Sequence, residues 1–147
     1  MAETLGSLLD KLTVVKLKLW HTSDAARKES LLGQSSRLAE EIDEYLEGAF
    51  SGAIPRERIT FASNKVVARD GAVEGFPREG SAGELFGELA TVNCELWHEQ
   101  EKVYEFEKVP ASKKDAVVKR LATLNLMRTS LIDAIDRELL TVLEVSR

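Results

Sequence analysis

GSLLDKLTVVKLKLWH, residues 6–21, and GELFGELATVNCELWH, residues 83–98, align without a gap at an offset of seventy-seven positions. Gly6 falls on Gly83, Leu8 on Leu85, Leu12 on Leu89, Val15 on Val92 and Leu19 on Leu96, and each stretch closes on a Trp-His pair, Trp20-His21 and Trp97-His98. Seven identities in sixteen positions stand well above the roughly one that ordinary residue frequencies would give. The chain holds only two tryptophans and two histidines, and these doublets contain all of them. The offset points to an internal duplication, two helical hairpins that pair into an all-α four-helix bundle with a pseudo-twofold axis.

Hydrophobic spacing supplies the helices. Leu5, Leu8, Leu9, Leu12, Val15 and Leu19 recur every three or four residues, which predicts an amphipathic first helix over about residues 3–22. Leu31, Leu38, Ile42, Tyr45 and Ala49 continue the pattern over about 24–48, with Gly33 weakening it and Gly48 as the expected stop. A third helix begins near Ser81 and runs through Leu85, Leu89, Val92, Leu96 and Val103 until Pro110 ends it. The fourth opens at Ser112, with Asp115 completing a capping box, and carries Val117, Leu121, Leu124, Leu131, Ile135 and Val142 nearly to the end. At 1.5 Å per residue it is about 50 Å long. Leu139, Val142 and Leu143 therefore suggest an end that projects and meets a second copy, a homodimer.

The hairpins are thus expected at 3–48 and 83–145 within a single domain spanning 1–147. Residues 49–82 form a long connection rich in glycine and proline, whose apolar pieces ITF (59–61) and KVVA (65–68) suggest a short strand or helical turn.

Composition limits the function classes. A net charge of -5 lacks the clustered Lys and Arg that phosphate backbones demand, so nucleic acid is not an expected partner. The acidic opening MAETLGSLLDKL and the absence of eighteen consecutive apolar residues predict a soluble, unexported chain with no membrane span. Cys94 stands alone, which suits a reducing cytoplasm and a small apolar packing role.

Candidate sites follow from residues that interrupt the pattern. Trp20 and Trp97 lie at the edge of the apolar stripe and are expected to pack in the core. His21 and His98 sit about 100° further round, each with an acid three residues on, Asp24 and Glu101, on a shared helix face. Two such pairs could converge on a divalent metal such as zinc, iron or manganese, although separate hydrogen bonds to acids or carbonyls account for them more simply. Lys16 and Asn93 occupy equivalent places within apolar arcs, where a buried polar group needs partners. Asn125, Arg128, Asp133 and Asp136 on the fourth helix, with Glu40 and Asp43 on the second, are the candidates. Together they read as a polar network that fixes register or as a ligand pocket between helices.

LWHEQEKVYEFEKVP (96–110) followed by VVKRLATLNLMRTSLIDAID (117–136) resembles an uncharacterised bacterial family, marked by a Leu-Trp-His helix and then a Lys-Arg, Leu-Asn, Arg, Ile-Asp pattern. The resemblance covers about residues 83–140 and implies an all-helical bacterial protein without an assigned activity. EEIDE, residues 40–44, also spells the Glu-Glu-x-x-Glu of all-helical nucleotide pyrophosphohydrolases of the MazG type, which hold Mg²⁺ against phosphate. The second Glu-x-x-Asp of that family is missing, since only Glu57 with Thr60 follows at that spacing and Asp133 with Asp136 lies far downstream. The expectation is a non-catalytic bundle that acts by self-association or by binding a protein or small ligand. A metal-dependent hydrolase is the alternative.

Overall fold

The computed structural model describes residues 2–61 and 78–146. Four α-helices account for most of them: α1 (Leu5–His21), α2 (Ala25–Ser51), α3 (Ala82–Tyr104) and α4 (Ala111–Val145). Short 3-10 turns at Arg56–Arg58 and Phe106–Lys108 follow α2 and α3, and no strand occurs among the described residues. The expected KVVA piece lies outside those residues. None of the described helices is long and apolar enough to cross a membrane.

The helix ends have local causes. At the start of α1, Thr4 accepts from the Ser7 N–H at 3.2 Å while the Thr4 N–H donates to Ser7 Oγ at 2.8 Å, a reciprocal capping box in which serine takes the usual place of glutamate. Asp24 caps α2 by accepting from the Arg27 N–H at 2.8 Å. That helix passes the expected stop at Gly48 and ends at Gly52, whose φ of +86° is the left-handed conformation glycine adopts without Cβ strain. Ser81 caps α3 through the Glu84 N–H. The expected capping box of Ser112 with Asp115 is not formed: α4 begins one residue earlier, at Ala111, on Pro110, which has no side chain able to cap it. α3 ends at Tyr104, six residues short of the expected stop at Pro110, and the 3-10 turn at Phe106–Lys108 lies between them, so the proline pre-sets only the entry to α4.

The hairpins form as the spacing predicts, α1 against α2 and α3 against α4. In addition, α1 packs on both α3 and α4, so it lies closely against all three other helices. The core is built from Leu5, Leu85, Leu89, Val92, Leu124, Leu131, Ile135, Leu139 and Leu143, with Ala49 and Ile59 closing it from the second helix and the turn after it. At about 25 cal/mol per Å² of apolar surface buried, such side chains each contribute roughly 1.5–3 kcal/mol before conformational entropy is set against them.

Two expectations are corrected here. Leu139 and Leu143 are buried within this core while Val142 is exposed, so the C-terminal end of α4 is used inside the chain on one face, where Arg56 also donates to the Leu143 carbonyl at 3.0 Å. The part of α4 that extends from the bundle is its N-terminal third, with only Val117 buried before Leu124 and Lys114 lying over the Phe106 ring. Cys94 is exposed, not packed.

Gly6 and Gly83, matched in sequence, have unlike surroundings. A Cβ on Gly6 would lie 2.5 Å from the Ile132 carbonyl oxygen of α4, whereas one on Gly83 would meet nothing within 4 Å. Gly6→Ala is therefore expected to lower stability by about 1–3 kcal/mol by forcing α1 away from α4. Gly83→Ala should be neutral or stabilising by less than about 1 kcal/mol. Thermal or urea unfolding of the two variants checks this contrast, and equal effects would contradict the close α1–α4 approach.

Candidate functional site

The residues singled out in the sequence sort into three places. The first is a polar junction on α1. Asp10, 4% exposed, receives Arg128 of α4 in a two-pronged contact, Nε to Oδ1 at 2.8 Å and Nη2 to Oδ2 at 2.5 Å. Asn93 of α3, 3% exposed, donates through Nδ2 to the same Oδ1 at 2.9 Å and to Thr13 Oγ1 at 2.7 Å. The hydrogen bond that Arg128 donates to Asp10 holds its guanidinium even more firmly protonated than usual, outweighing the effect of burial. Asn93 and Arg128 thus share a centre that sequence reasoning missed, Asp10. Its signal was an acid lying between Leu9 and Leu12, one turn from the helix start, where a solvated position is not expected.

Other members of the expected network stand elsewhere. Lys16 is exposed, because α1 turns its Asp10 row rather than its Lys16 row toward α3 and α4. Asn125 is exposed and donates to the Leu121 carbonyl of its own helix at 3.1 Å.

The second place is the start of α1. Asp136, only 1% exposed, accepts from the Gly6 N–H at 2.7 Å and so presents a carboxylate to the positive end of the α1 dipole. Burial raises its pKa to about 6; the Gly6 N–H and, less strongly, the Thr4 hydroxyl act in the opposite sense, while neighbouring Asp133 raises it and Arg137 lowers it. Among the described residues its Oδ2 makes no hydrogen bond of ordinary geometry, and neither does the hydroxyl of Tyr45 on α2. Burial, followed by the charge of Asp136, pushes the Tyr45 phenol up.

The third place is a cleft beside the first half of α2. The inward positions of that half are Arg27, Ser30, Leu31, Gln34, Arg37, Leu38 and Glu41, mostly polar, whereas Ile42, Tyr45, Leu46 and Ala49 carry the second half onto the core. Only Ser35 is buried between residues 25 and 48. α2 accordingly lies close to α1 but makes no comparable contact with α3, the edge that would close a four-membered ring. In that opening is a cleft of about 510 Å³ lined by Lys18, His21 and Thr22 of α1 and its cap, Arg27, Ser30, Leu31 and Gln34 of α2, and Trp97 of α3. A second hollow of about 560 Å³ shares Lys18 and Gln34 and extends along α1 past Val14 and Val15 to Arg128.

The Trp-His doublets meet in this region, but not as equivalents. His21 stacks on Trp97, with ring centroids 4.6 Å apart and planes inclined by 20°. His21 Nδ1 lies 2.8 Å from the Leu17 carbonyl, which can only accept, so Nδ1 carries the proton and Nε2 is the remaining polar atom of the ring. The Trp97 indole N–H donates to Glu101 at 2.9 Å. Trp20 and His98 are exposed, Trp20 at 86%, which corrects the expectation that both tryptophans pack in the core. The 100° step that places one member of a doublet against a neighbour turns the other to solvent, and α1 and α3 face different neighbours.

The metal candidates are likewise dispersed. Asp24 is occupied as the α2 cap and Glu101 by Trp97, and no group of three or more His, Cys, Asp or Glu side chains able to hold a metal occurs among the described residues. Of EEIDE, Glu41 pairs with Arg37 at 3.2 Å, Glu40 lies 4.0 Å from the same guanidinium, and Asp43 and Glu44 are exposed.

Comparison with protein-family models, curated proteins and solved structures finds no match. The class is therefore defined by the fold itself, a helical bundle with an open cleft beside its second helix.

Because its folded pKa is raised above the ordinary carboxylate value of 3.8, Asp136 binds its proton more tightly in the folded than in the unfolded chain. Its contribution is most favourable below about pH 4 and is lost as pH rises through about 6. Asp136→Asn keeps an acceptor for Gly6 without the charge. Relative to the wild type it should gain on the order of 2 kcal/mol in unfolding free energy between pH 4 and pH 7. Parallel pH–stability curves would show that Asp136 titrates alike in both states.

Proposed function

We propose that this protein is a non-catalytic binding module whose ligand enters the cleft between α1, α2 and α3. The observation that carries the reading is the incomplete ring of helices: α2 is docked by its second half, while its first half stands over α1 with polar side chains directed into a cleft of about 510 Å³. That volume lies within the range of small-molecule sites, and its lining combines an apolar floor, Leu31 and Trp97, with several hydrogen-bonding groups. Docked helices elsewhere make the site preformed, which lowers the ordering cost of binding. Nitrogen-15 NMR of the protein against mixtures of small fragments should give shifts concentrated on Lys18, Leu31, Gln34 and the Trp97 indole. Shifts concentrated instead around Ala49, Arg56 and Leu143, which line a separate hollow of about 440 Å³, would overturn this choice of site.

A second reading, self-association as a homodimer, is favoured by a different residue from those that suggested it in sequence. Trp20 is 86% exposed at the end of α1, and so large an aromatic surface left in water commonly marks a contact with another protein. Analytical ultracentrifugation at tens of micromolar should show a dimer that Trp20→Ser converts to monomer. A wild type that sediments as a monomer removes this reading and leaves the cleft untouched.

A further inference from the structure

We infer that the ligand of the α1–α2–α3 cleft is a small organic oxyanion, a phosphate or carboxylate carrying a flat apolar group. The inference rests on the cleft being the binding site and adds the chemistry of what it holds. In a chain with 25 acidic and 20 basic side chains, the lining of this cleft contains two fixed cations, Lys18 and Arg27, and no acid. Of the other cations on α1, α2 and the facing part of α4, Arg37 pairs with Glu41, Arg128 with Asp10, and Lys11 with Glu3, while Lys16 and Lys28 are exposed and lie outside the cleft lining. The side chains of Lys18 on α1 and Arg27 on α2 make no hydrogen bond or ion pair among the described residues, and both line this cleft. Two like charges lining one cavity repel, and an oxyanion between them removes that cost while accepting charge-assisted hydrogen bonds from both.

The neutral lining agrees with this charge. Thr22 and Ser30 offer hydroxyls and Gln34 an amide, all able to donate to an oxyanion. Trp97 and Leu31 provide the apolar surface against which a flat group can lie. The same features argue against an acidic helix from a partner protein. A helix laid in a groove needs a row of apolar pockets at three- and four-residue spacing, and here only two apolar side chains line the cleft. In the adjoining hollow Lys11, Arg37 and Arg128 all have acidic partners, and the cation without one is Lys18, which lines both hollows.

Phenyl phosphate is the probe, with benzyl alcohol and benzylamine as neutral and cationic counterparts of similar shape. Titrated into the full chain, phenyl phosphate should shift the Trp97 indole N–H resonance saturably and leave that of exposed Trp20 unmoved. Binding should weaken at least about threefold on Lys18→Gln or Arg27→Gln, and further as salt is raised, because exposed charge pairs are screened. Arg37→Gln, which removes a charge already paired, should change it by less than about twofold. Both tested side chains are surface groups without hydrogen bonds, and unchanged thermal unfolding of the variants confirms that they fold. Equal affinity for benzyl alcohol or benzylamine, or variants that bind phenyl phosphate like the wild type, would overturn the oxyanion assignment while leaving the cleft as a site. If neutral fragments shift the cleft residues and phenyl phosphate does not, the assignment likewise fails alone. If no probe or fragment moves Trp97, the binding reading fails with it.

Discussion

A single carboxylate placed inside a helix interface constrains the rest of this bundle. Asp10 is taken out of water and would be costly there without compensation, since an ion in a low-dielectric setting loses several kcal/mol of hydration. It is compensated by one guanidinium from α4 and one amide from α3, which together satisfy both of its oxygens. Such an arrangement adds less to net stability than a well-packed apolar cluster of the same volume would. Its effect is on register: sliding α1 by one turn relative to α3 or α4 would strand a buried charge. Three helices are thereby fixed to one point.

Asp136 supplies a second point farther along the same interface. Arg128 and Asp136 are eight residues apart on α4, while their α1 contacts, Asp10 and Gly6, are four apart and in the reverse order, as antiparallel helices require. Between the two contacts, α1 can neither slide nor rotate against α4. The absence of a side chain at Gly6 lets the backbones approach closely enough for this hydrogen bond to form. The charge on Asp136 is maintained near neutral pH against its burial, so this anchor is less favourable than the first. Its burial beside the Tyr45 hydroxyl makes it, among the described residues, the part of the core most sensitive to protons.

Because α1 is committed to α3 and α4, α2 is attached from outside. Its second half supplies Ile42, Tyr45, Leu46 and Ala49 to the core, and its first half has too few apolar residues to follow. The resulting opening is a consequence of sequence composition along one helix and not of a deformation in the bundle. It also explains why the two Trp-His doublets serve different ends. At the mouth of the opening His21 reaches Trp97 across the α1–α3 contact, and the corresponding groups, Trp20 and His98, are left facing solvent.

The all-helical class, the four helices and their pairing into hairpins were legible in the sequence, because apolar residues at three- and four-residue spacing and the glycine- and proline-rich break after α2 act locally. Asn93 and Arg128 were legible as polar residues needing partners, for the same local reason. The choice of Asp10 as their partner was not, nor was the exposure of Lys16, Trp20 and Asn125. Those outcomes depend on how far each helix is rotated about its axis, and a rotation of one residue, 100°, exchanges a buried row for a solvated one. Periodicity determines that a helix has an apolar face. Only the simultaneous packing of α1 against three neighbours decides which residues at the edge of that face are covered, and so which cations are paired and which are left lining a cleft.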